Sequence, residues 1–373
     1  MHQKVEIKKL SIIIPAYNEA KTITQILDEV KDVDLGSIQK EIIVINDASK
    51  DGTLEKLQEV KSKYNLTILN QEINQGKGAA LKRGILASTG DVVIIQDADM
   101  EYDPHEYSKL LYPIQRGNAD VVYGSRFVGG EPHRTFYYAN KLANSFLTTF
   151  SNLMTGFDLT DMETCYKVFK ADLIREIAKD LEAKRFGFEP EVTARLSRIK
   201  NLRLYEVGIS YYGRSKEEGK KINWKDGAKA IWEIIKYANP QSTFNQFIKF
   251  LLVGGTALIL NWIITEFLKS RIGSSVLGLP NYFIPVALGF FISGLYNYFL
   301  NKRFSFEYRD KPNKFGSFVR FWLVFGSGII IAIVVSFLWN EVFKGNSFYT
   351  TPISSVVVLL WNFIGHKKFT FKK

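Results

Sequence analysis

The chain contains little cysteine and little histidine. A single cysteine, Cys165, among 373 residues excludes an internal disulfide framework and a cysteine-rich zinc site. The four histidines are scattered along the sequence, so we interpret each of them as structural or solvent-facing. The start of the chain, MHQKVEIKKL, is polar and leads straight into a strand-like stretch, so no cleavable signal peptide is expected.

Acidic residues are scarce in the last third of the sequence. Up to Thr243 there are 35 Lys and Arg residues against 34 Asp and Glu, whereas from Phe244 onward there are 14 against 4. The nearly neutral first part argues against a nucleic-acid binder. The basic excess belongs to the C-terminal part, which is also the most apolar.

Long uncharged runs in this C-terminal part predict membrane-spanning helices. Each run can hold the roughly 20 apolar residues that a transmembrane helix requires. We predict four spans, at about 247–268, 281–300, 319–340 and 348–365. The alternative is a set of buried helices in a large soluble core.

Basic residues predict the orientation of these spans. They crowd the stretch between spans two and three and follow span four, whereas 341–347 carries only Glu341 and Lys344. By the positive-inside rule, the N-terminal domain, the middle loop and the C-terminus face the cytoplasm. The basic residues concerned are Lys302, Arg303, Arg309, Lys311, Lys314, Arg320, Lys367, Lys368, Lys372 and Lys373.

Residues 10–125 alternate apolar, β-branched runs with amphipathic helical stretches. This pattern predicts a parallel α/β sheet covered by helices on both faces. No internal repeat is evident along the chain. We expect a catalytic domain at 1–222, an amphipathic helix and linker at 223–243, and a membrane domain at 244–373. The helix, NWKDGAKAIWEIIKY, suits either the headgroup region of a membrane or the surface of the catalytic domain.

Polar side chains follow four of the predicted strands at the point where each strand ends. Asn18 and Glu19, Asp47, the pair Asp97 and Asp99, and Arg126 all occupy such positions. Ligands of open α/β sheets bind beyond the carboxyl ends of the strands, so we expect these side chains to share one crevice. Strand alternation would place Asp97 and Asp99 on one face, where a divalent cation would relieve their repulsion. Neither a dinucleotide-binding glycine fingerprint nor a P-loop is present.

Six ordered motifs resemble those of inverting family 2 glycosyltransferases with the GT-A fold, and specifically of polyprenyl-phosphate sugar synthases such as dolichyl-phosphate mannose and glucose synthases. They are SIIIPAYNEA, EIIVINDASKDGT, NQGKGAAL, GDVVIIQDADMEYDP, VVYGSRF and DMETCYKVF. The resemblance extends from residue 10 to about residue 222. The C-terminal part is similar to the GtrA-like membrane domain. The expected fold class is therefore an α/β, Rossmann-like GT-A domain followed by an all-α domain of four transmembrane helices.

The resemblance also implies roles for individual residues on the donor side. Residues matching the nucleotide-sugar site are Pro15, Tyr17, Glu19, Asp47, Lys77, Asp97 and Asp99. Asp97, Asp99 and Glu101 match the positions that hold Mg²⁺ or Mn²⁺ on the donor diphosphate. Such a cation neutralises the departing nucleoside diphosphate without a proton donor, and carboxylates are its usual ligands.

On the acceptor side, the resemblance implies contacts with phosphate groups from Arg126, Arg214 and Lys220, and we add Arg134 because it could fix a second phosphate. Asp161 and Glu191 match family acids and join Asp97, Asp99 and Arg126 as residues expected at the reacting atoms. Thr164 and Cys165 stand where relatives have Cys and Gly, and Glu-Glu-Gly-Lys replaces Gly-x-Ser-Lys before Lys220. A phosphate nucleophile is mostly dianionic at neutral pH, so a strong general base is dispensable.

These expectations describe transfer of one sugar, mannose or glucose, from GDP-mannose or UDP-glucose to dolichyl or another polyprenyl phosphate at the cytoplasmic membrane face. One alternative is a processive membrane polysaccharide synthase, although its Q-x-x-R-W signature is missing. Another is a flippase for lipid-linked sugars with a regulatory soluble domain. The sequence leaves open whether copies of the chain form a homo-oligomer.

Overall fold

The chain divides into two compact units, Met1–Asn239 and Pro240–Lys373, each of which is described by itself. The structure is a computed structural model, and it describes residues 4–132, 134–135, 138–185, 187–214, 224–240, 242–271, 283–308, 314–346 and 349–372.

The first unit is an α/β domain. Its strands are β1 Lys9–Ala16, β2 Gln39–Asn46, β3 Thr67–Asn70, β4 Val92–Ile95, β5 Val121–Ser125, β6 Lys167–Lys170 and β7 Leu204–Gly208. Its helices are α1 Ile23–Asp32, α2 Thr53–Tyr64, α3 Lys77–Ala87, α4 Tyr107–Gln115, α5 Tyr138–Thr155, α6 Ala171–Lys179, α7 Phe188–Leu196 and α8 Trp224–Tyr237. The predicted α/β sheet domain is confirmed.

The sheet is mixed rather than fully parallel. Its seven strands lie in the order β3-β2-β1-β4-β6-β5-β7, and β6 runs antiparallel to both β4 and β5. The five strands predicted within residues 10–125 all run in the same direction, as expected, and the antiparallel strand β6 lies outside that stretch. Strand β6 has only four residues, too few for an alternating apolar pattern to be recognised. Strand β7 was not predicted from the sequence either.

Alternating residues of the central strands cover both faces of the sheet. Leu10, Ile12 and Ile14 of β1 are fully buried in the cluster that includes residues of α1 and α4. On the opposite face, α3 packs so closely that a Cβ on Gly84 would lie 2.5 Å from Ile13 Cγ2 and from Ile45 Cδ1. Burial of each such aliphatic side chain contributes roughly 1.5–3 kcal/mol. This packing holds the carboxyl ends of the strands rigidly in place.

The chain leaves the sheet earlier at β4 than predicted. The strand ends at Ile95, so Asp97 and Asp99 lie in the following turn rather than on alternate strand positions. The turn bends sharply at Met100, whose φ of 64° lies in the left-handed region that non-glycine residues rarely adopt. The strand-alternation argument for the two aspartates was wrong, although both still lie just beyond the edge of the sheet.

Helix α8 belongs to the first unit and packs against α5 and α7. Ile234 and Ile235 are buried, and Lys236 Nζ lies 2.7 Å from Glu182 Oε2. The units divide after Asn239, which differs from the separate segment expected at 223–243. The helix is thus docked on the α/β domain, and its position in a headgroup region stays a prediction.

The second unit is helical. It contains α9 Thr243–Arg271, α10 Phe283–Leu300, α11 Lys314–Phe337 and α12 Thr350–Gly365. Among the described residues, three stretches are long and apolar enough to cross a membrane: Thr243–Arg271, Ile284–Ser305 and Gly316–Val342. Helix α12 has 16 residues, fewer than the roughly 20 that a perpendicular span needs. The count of four spans therefore stays a prediction.

An internal repeat is present in this unit, so the expectation of none was wrong. FNQFIKFLLVGGT at 244–256 corresponds to FGSFVRFWLVFGS at 315–327, and YNYFLNKRFSF at 296–306 corresponds to WNFIGHKKFTF at 361–371. Both of the latter segments end in a π-helical turn, Asn301–Ser305 and His366–Thr370. The helical hairpin α9–α10 is thus repeated as α11–α12.

Equivalent residues of the two hairpins make equivalent contacts. Tyr298 and Phe371 lie with ring centroids 6.0 Å apart, and their counterparts Phe363 and Phe306 lie 6.1 Å apart. Phe306 and Phe371, which correspond to each other, stack at 5.0 Å. The Tyr296 hydroxyl donates to Thr256 Oγ1 at 3.2 Å, and Trp361 Nε1 donates to Ser327 Oγ at 2.9 Å. The hairpins are therefore related by a pseudo-two-fold axis that passes between Phe306 and Phe371. The repeat was not recognised from the sequence because the matching residues are spaced along the faces of helices and do not form a contiguous identical stretch.

Candidate active site

A buried lysine organises the first part of the site. Lys77 Nζ lies 2.9 Å from Asp97 Oδ1, 3.3 Å from Glu189 Oε1 and 2.7 Å from Cys165 Sγ. Burial alone would lower the pKa of Lys77, but Asp97, Cys165 and Glu189 raise it well above its usual value. We call Lys77, Asp97, Cys165 and Glu189 the lysine cluster.

Two glycines explain how Lys77 reaches this position. A Cβ on Gly76 would lie 2.3 Å from the carbonyl oxygen of Lys184, and one on Gly78 would lie 2.3 Å from that of Ala183. The Gly78 amide also donates to the Arg185 carbonyl at 3.0 Å. The motif NQGKGAAL therefore docks the start of α3 directly on this neighbouring segment and aims Lys77 at Asp97.

An arginine organises the second part. Arg214 Nη2 lies 2.7 Å from Asp99 Oδ2, Nε lies 3.4 Å from Glu101 Oε1 and Nη1 lies 3.7 Å from Glu19 Oε2. Burial, followed by Asp97 and Glu101, raises the pKa of Asp99 to about 7, whereas Arg214 acts in the opposite direction. We call Glu19, Asp99, Glu101 and Arg214 the arginine cluster.

Arg126 and Asp161 form a buried ion pair in the third part. Arg126 Nε and Nη2 lie 2.6 Å and 2.7 Å from the two Asp161 carboxylate oxygens, and the Arg126 amide donates to the same carboxylate at 3.1 Å. Asp161 is fully buried. Two parallel bonds from a planar guanidinium fix both partners in orientation.

Tyr211 connects the arginine cluster with this ion pair. Its hydroxyl donates to Glu101 Oε2 at 2.6 Å, and the Arg126 guanidinium lies 5.1 Å from its ring centroid. Asp97 and Asp99 are two residues apart and join the lysine and arginine clusters. The structure thus brings the predicted residues Lys77, Asp97, Asp99, Glu101, Arg126, Asp161 and Arg214 into one continuous array.

The residues predicted to hold the nucleotide lie along the edge formed by β1 and β2. Pro15 pairs with Ile45 in the sheet, and Tyr17 is about one-third exposed. Asp47 is buried and accepts hydrogen bonds at 2.7 Å from Gln71 Nε2 and from the amides of Gln75 and Gly76. The Asp47 carboxylate therefore fixes the loop that leads to Lys77.

Two glutamates of α7 face in different directions. Glu191, which was predicted at the reacting atoms, is fully buried and accepts from the amides of Glu182 and Ala183 and from Arg195 Nε at 2.8 Å. Glu189 contacts Lys77 instead. Side chains two positions apart on a helix diverge by roughly 200°. Glu189, and not Glu191, therefore contacts the array, and the role of Glu191 at the reacting atoms stays a prediction.

Glu163 was also missed by sequence reasoning. Its Oε1 is shielded from solvent and has no hydrogen-bond partner among the residues the structure describes. Burial, then the nearby Glu189, raises the pKa of Glu163 to about 8. Lys167 Nζ donates to the carbonyls of Met162, at 3.0 Å, and Thr164, which fixes the loop carrying Glu163. The signal available was an acid inside the motif DMETCYKVF.

Arg134, another predicted phosphate ligand, contacts the segment that carries Arg214. The Arg134 amide donates to the Tyr211 carbonyl at 2.9 Å, and its Nη1 donates to the Gly213 carbonyl at 2.9 Å. Arg134 is therefore held against the segment that carries Arg214. Lys220 and His133 lie outside the described residues.

The donor set fits a divalent cation in chemistry. Asp97, Asp99 and Glu101 offer hard carboxylate oxygens, and burial, followed by the negative charges of Asp97 and Glu101, raises the pKa of Asp99. Within the described ranges, however, no three acidic, histidine or cysteine side chains already converge as a metal site. Asp99 and Glu101 are paired with Arg214, and Asp97 is paired with Lys77.

Two family models match successive parts of the chain. Residues 11–178 match the family described as "Glycosyl transferase family 2" and residues 240–371 match "GtrA/DPMS, transmembrane domain". A solved glucosyl-3-phosphoglycerate synthase from Mycobacterium tuberculosis, in complex with Mn²⁺, UDP and phosphoglyceric acid, is 17% identical with a TM-score of 0.47 and covers 62% of this chain and 77% of that chain.

Two curated relatives have closer sequences. A dolichol-phosphate mannosyltransferase from Pyrococcus furiosus is 26% identical over 94% of this chain and 95% of its own length. An undecaprenyl-phosphate mannosyltransferase from Micrococcus luteus is 30% identical over 56% of this chain and 85% of its own length. The chain belongs to the polyprenyl-phosphate glycosyltransferases of glycosyl transferase family 2 and carries a GtrA/DPMS transmembrane domain after its GT-A domain.

Proposed function

We propose that the enzyme transfers one sugar, mannose or glucose, from a nucleotide diphosphate sugar to a polyprenyl phosphate, with inversion at the anomeric carbon. GDP-mannose and UDP-glucose are the donors to test first, and dolichyl phosphate is the first acceptor. The observation that carries this proposal is the alternation of acids and cations from Lys77 to Arg126. Such an array can hold a negatively charged donor and a negatively charged acceptor side by side.

The donor diphosphate is proposed to lie over the arginine cluster. Among the described residues, the ion-pair partners of Arg214 are the carboxylates of Glu19, Asp99 and Glu101, and a guanidinium pairs with phosphate as readily as with carboxylate. Binding of the donor would transfer Arg214 from Asp99 to a phosphate oxygen. Asp99 and Glu101, with Asp97, would then hold Mg²⁺ or Mn²⁺, which when bound neutralises the charge that develops on the leaving nucleotide.

The acceptor phosphate is proposed to lie between Arg126 and Arg134. Asp161 fixes the Arg126 guanidinium through two hydrogen bonds, so Arg126 is oriented before the acceptor arrives. The phosphate oxygen attacks the anomeric carbon as the bond to the nucleotide breaks, and no proton has to be removed because the nucleophile is already ionised. Glu189, beside Lys77, and Glu163, which is close enough to Glu189 to be influenced by its charge, are proposed to bind sugar hydroxyl groups.

The side of the membrane on which the catalytic domain lies, the number of spans and the contact of α8 with lipid are also proposals. The basic residues favour a cytoplasmic catalytic domain and four spans, with α12 as the fourth. Helix α8, although docked on the α/β domain, exposes half of Trp232, which suits contact with lipid headgroups.

The test uses the full-length chain in detergent with a panel of nucleotide sugars and dolichyl phosphate. Mass spectrometry should detect a lipid carrying one added hexose with one donor of the panel. Dolichol without phosphate should give no product, and chelation by EDTA should abolish product until Mg²⁺ or Mn²⁺ is restored. Product formation at the full rate in EDTA, or with dolichol, would refute the proposal.

A further inference from the structure

The two hairpins of the membrane domain each place one cation at the same position. Lys249 of α9 corresponds to Arg320 of α11, within the matching segments FIKF and FVRF. Both residues lie in the first two turns of their helices, close to the π-helical turns that end α10 and α12. The repeat therefore allows the two halves to be compared position by position.

The first hairpin neutralises its own cation. Lys249 is only 2% exposed, and its Nζ lies 3.2 Å from Glu307 Oε1 and 5.0 Å from the Phe304 ring centroid. Glu307 lies two residues after the end of the π-helical turn Asn301–Ser305. A buried ammonium in an apolar domain needs such a partner.

No equivalent acid compensates the cation of the second hairpin among the residues that the structure describes. The residue equivalent to Glu307 is Lys372, and the Nε of Arg320 is shielded from solvent without a hydrogen-bond partner among the described residues. Lys367 and Lys368 add further positive charge in the π-helical turn. A shielded guanidinium donor left unpaired is costly, which indicates that an anion from outside the chain completes the site.

We propose that Arg320 binds the phosphate group of a membrane lipid. A guanidinium offers phosphate two parallel hydrogen bonds, and basic residues near a membrane surface attract anionic headgroups. Leu323, one turn beyond Arg320, is 60% exposed and offers apolar surface for the lipid tail. This surface favours a lipid over free phosphate. The site does not depend on the proposed reaction; only the identification of its lipid with the acceptor or product would do so.

The test is photo-crosslinking of the full-length chain in detergent with a photoreactive polyprenyl phosphate, followed by peptide mapping. Labelling of the α11 segment is expected to fall about 10-fold in Arg320→Gln and to persist in Arg320→Lys. Lys372→Glu supplies the acid that the first hairpin has, so it should also abolish this labelling. Lys368→Gln, which removes one exposed charge from the same hairpin, is the matched control and should label normally.

Undiminished labelling of α11 in both Arg320→Gln and Lys372→Glu would overturn the proposal. Equal labelling by a photoreactive polyprenol would show that only the tail is bound, and complete competition by millimolar inorganic phosphate would show a free-anion site; either result also overturns it. Because Lys372 is an exposed residue near the end of the chain, its substitution keeps the test valid if Arg320→Gln does not fold. Sugar transfer is measured separately, so failure of the proposed reaction is distinguishable from failure of this site.

Discussion

Arg214 and Asp99 form a direct ion pair, with Nη2 and Oδ2 2.7 Å apart, and Asp99 is one of the carboxylates proposed to hold the metal. The Arg214 guanidinium thus contacts a carboxylate to which the metal ion is proposed to bind. Arg214→Gln should unmask Asp99, Glu101 and Glu19, so Mn²⁺ should bind the donor-free enzyme about 10-fold more tightly, as measured by electron paramagnetic resonance. Sugar transfer should fall by about 100-fold because a donor phosphate loses its partner.

The matched control for this prediction is Arg214→Lys, which keeps the charge and should leave Mn²⁺ binding near that of the wild type. Weaker or unchanged Mn²⁺ binding in Arg214→Gln would contradict the exchange of Arg214 for a metal at Asp99.

The pair of Arg126 and Asp161 should be essential to stability as well as to activity. Asp161→Asn leaves a buried guanidinium without its counter-charge, so the free energy of unfolding should fall by about 3–5 kcal/mol. Chemical denaturation of the full chain, followed by tryptophan fluorescence, measures this change. The exposed Glu72→Gln serves as control and should change stability by less than about 0.5 kcal/mol. Equal stability of Asp161→Asn and Glu72→Gln would show that the ion pair is not formed.

Glu189 and Glu191 allow a matched comparison on one helix. Glu189→Gln removes the charge next to Lys77 and should lower kcat about 10-fold with little change in stability, since an amide can still accept a hydrogen bond. Glu191→Gln weakens the bonds to two backbone amides and to Arg195, so it should lower the free energy of unfolding by about 2 kcal/mol and leave kcat of the folded enzyme nearly unchanged. The reverse pattern would restore Glu191 to the site and remove Glu189 from it.

Glu163 should make stability depend on pH. Its pKa is about 8 in the folded chain and ordinarily 4.5, so between these values the folded state holds a proton that the unfolded state has lost. Stability therefore falls as pH rises from about 4.5 to about 8. Glu163→Gln should remove this dependence and, at pH 9, stabilise the chain by about 2 kcal/mol relative to the wild type.

Denaturation curves at pH 5.5, 7 and 9 test this prediction, with Glu55→Gln as an exposed control. If Glu163→Gln and wild type lose stability in parallel as pH rises, Glu163 is not the titrating group.

The sequence was most informative where function depends on the ends of strands. Asp97, Asp99 and Arg126 follow β4 and β5 directly, and the order of apolar runs was enough to bring them to one edge of the sheet. Lys77 was expected near the nucleotide, but its contact with Asp97 depends on the close docking of Gly76 and Gly78, which only the folded chain reveals.

Other features depend on geometry that a linear pattern does not encode. The choice between Glu189 and Glu191 is set by the rotational phase of α7, which begins at Phe188. The reversed strand β6 has four residues, and its direction is fixed only by pairing with β4 and β5. The repeat in the membrane domain becomes visible when the aromatic residues of helix faces are aligned, as with Tyr298 and Phe363.

The reciprocal ring pairs around Phe306 and Phe371 affect how the two hairpins of this membrane domain can diverge in sequence. Each hairpin offers its counterpart the same surface that it receives, which is how two identical subunits associate through a two-fold axis. The domain is in effect a homodimer whose subunits have been fused. Once fused, they no longer need to stay identical, so one hairpin can specialise in scaffolding while the other acquires a ligand.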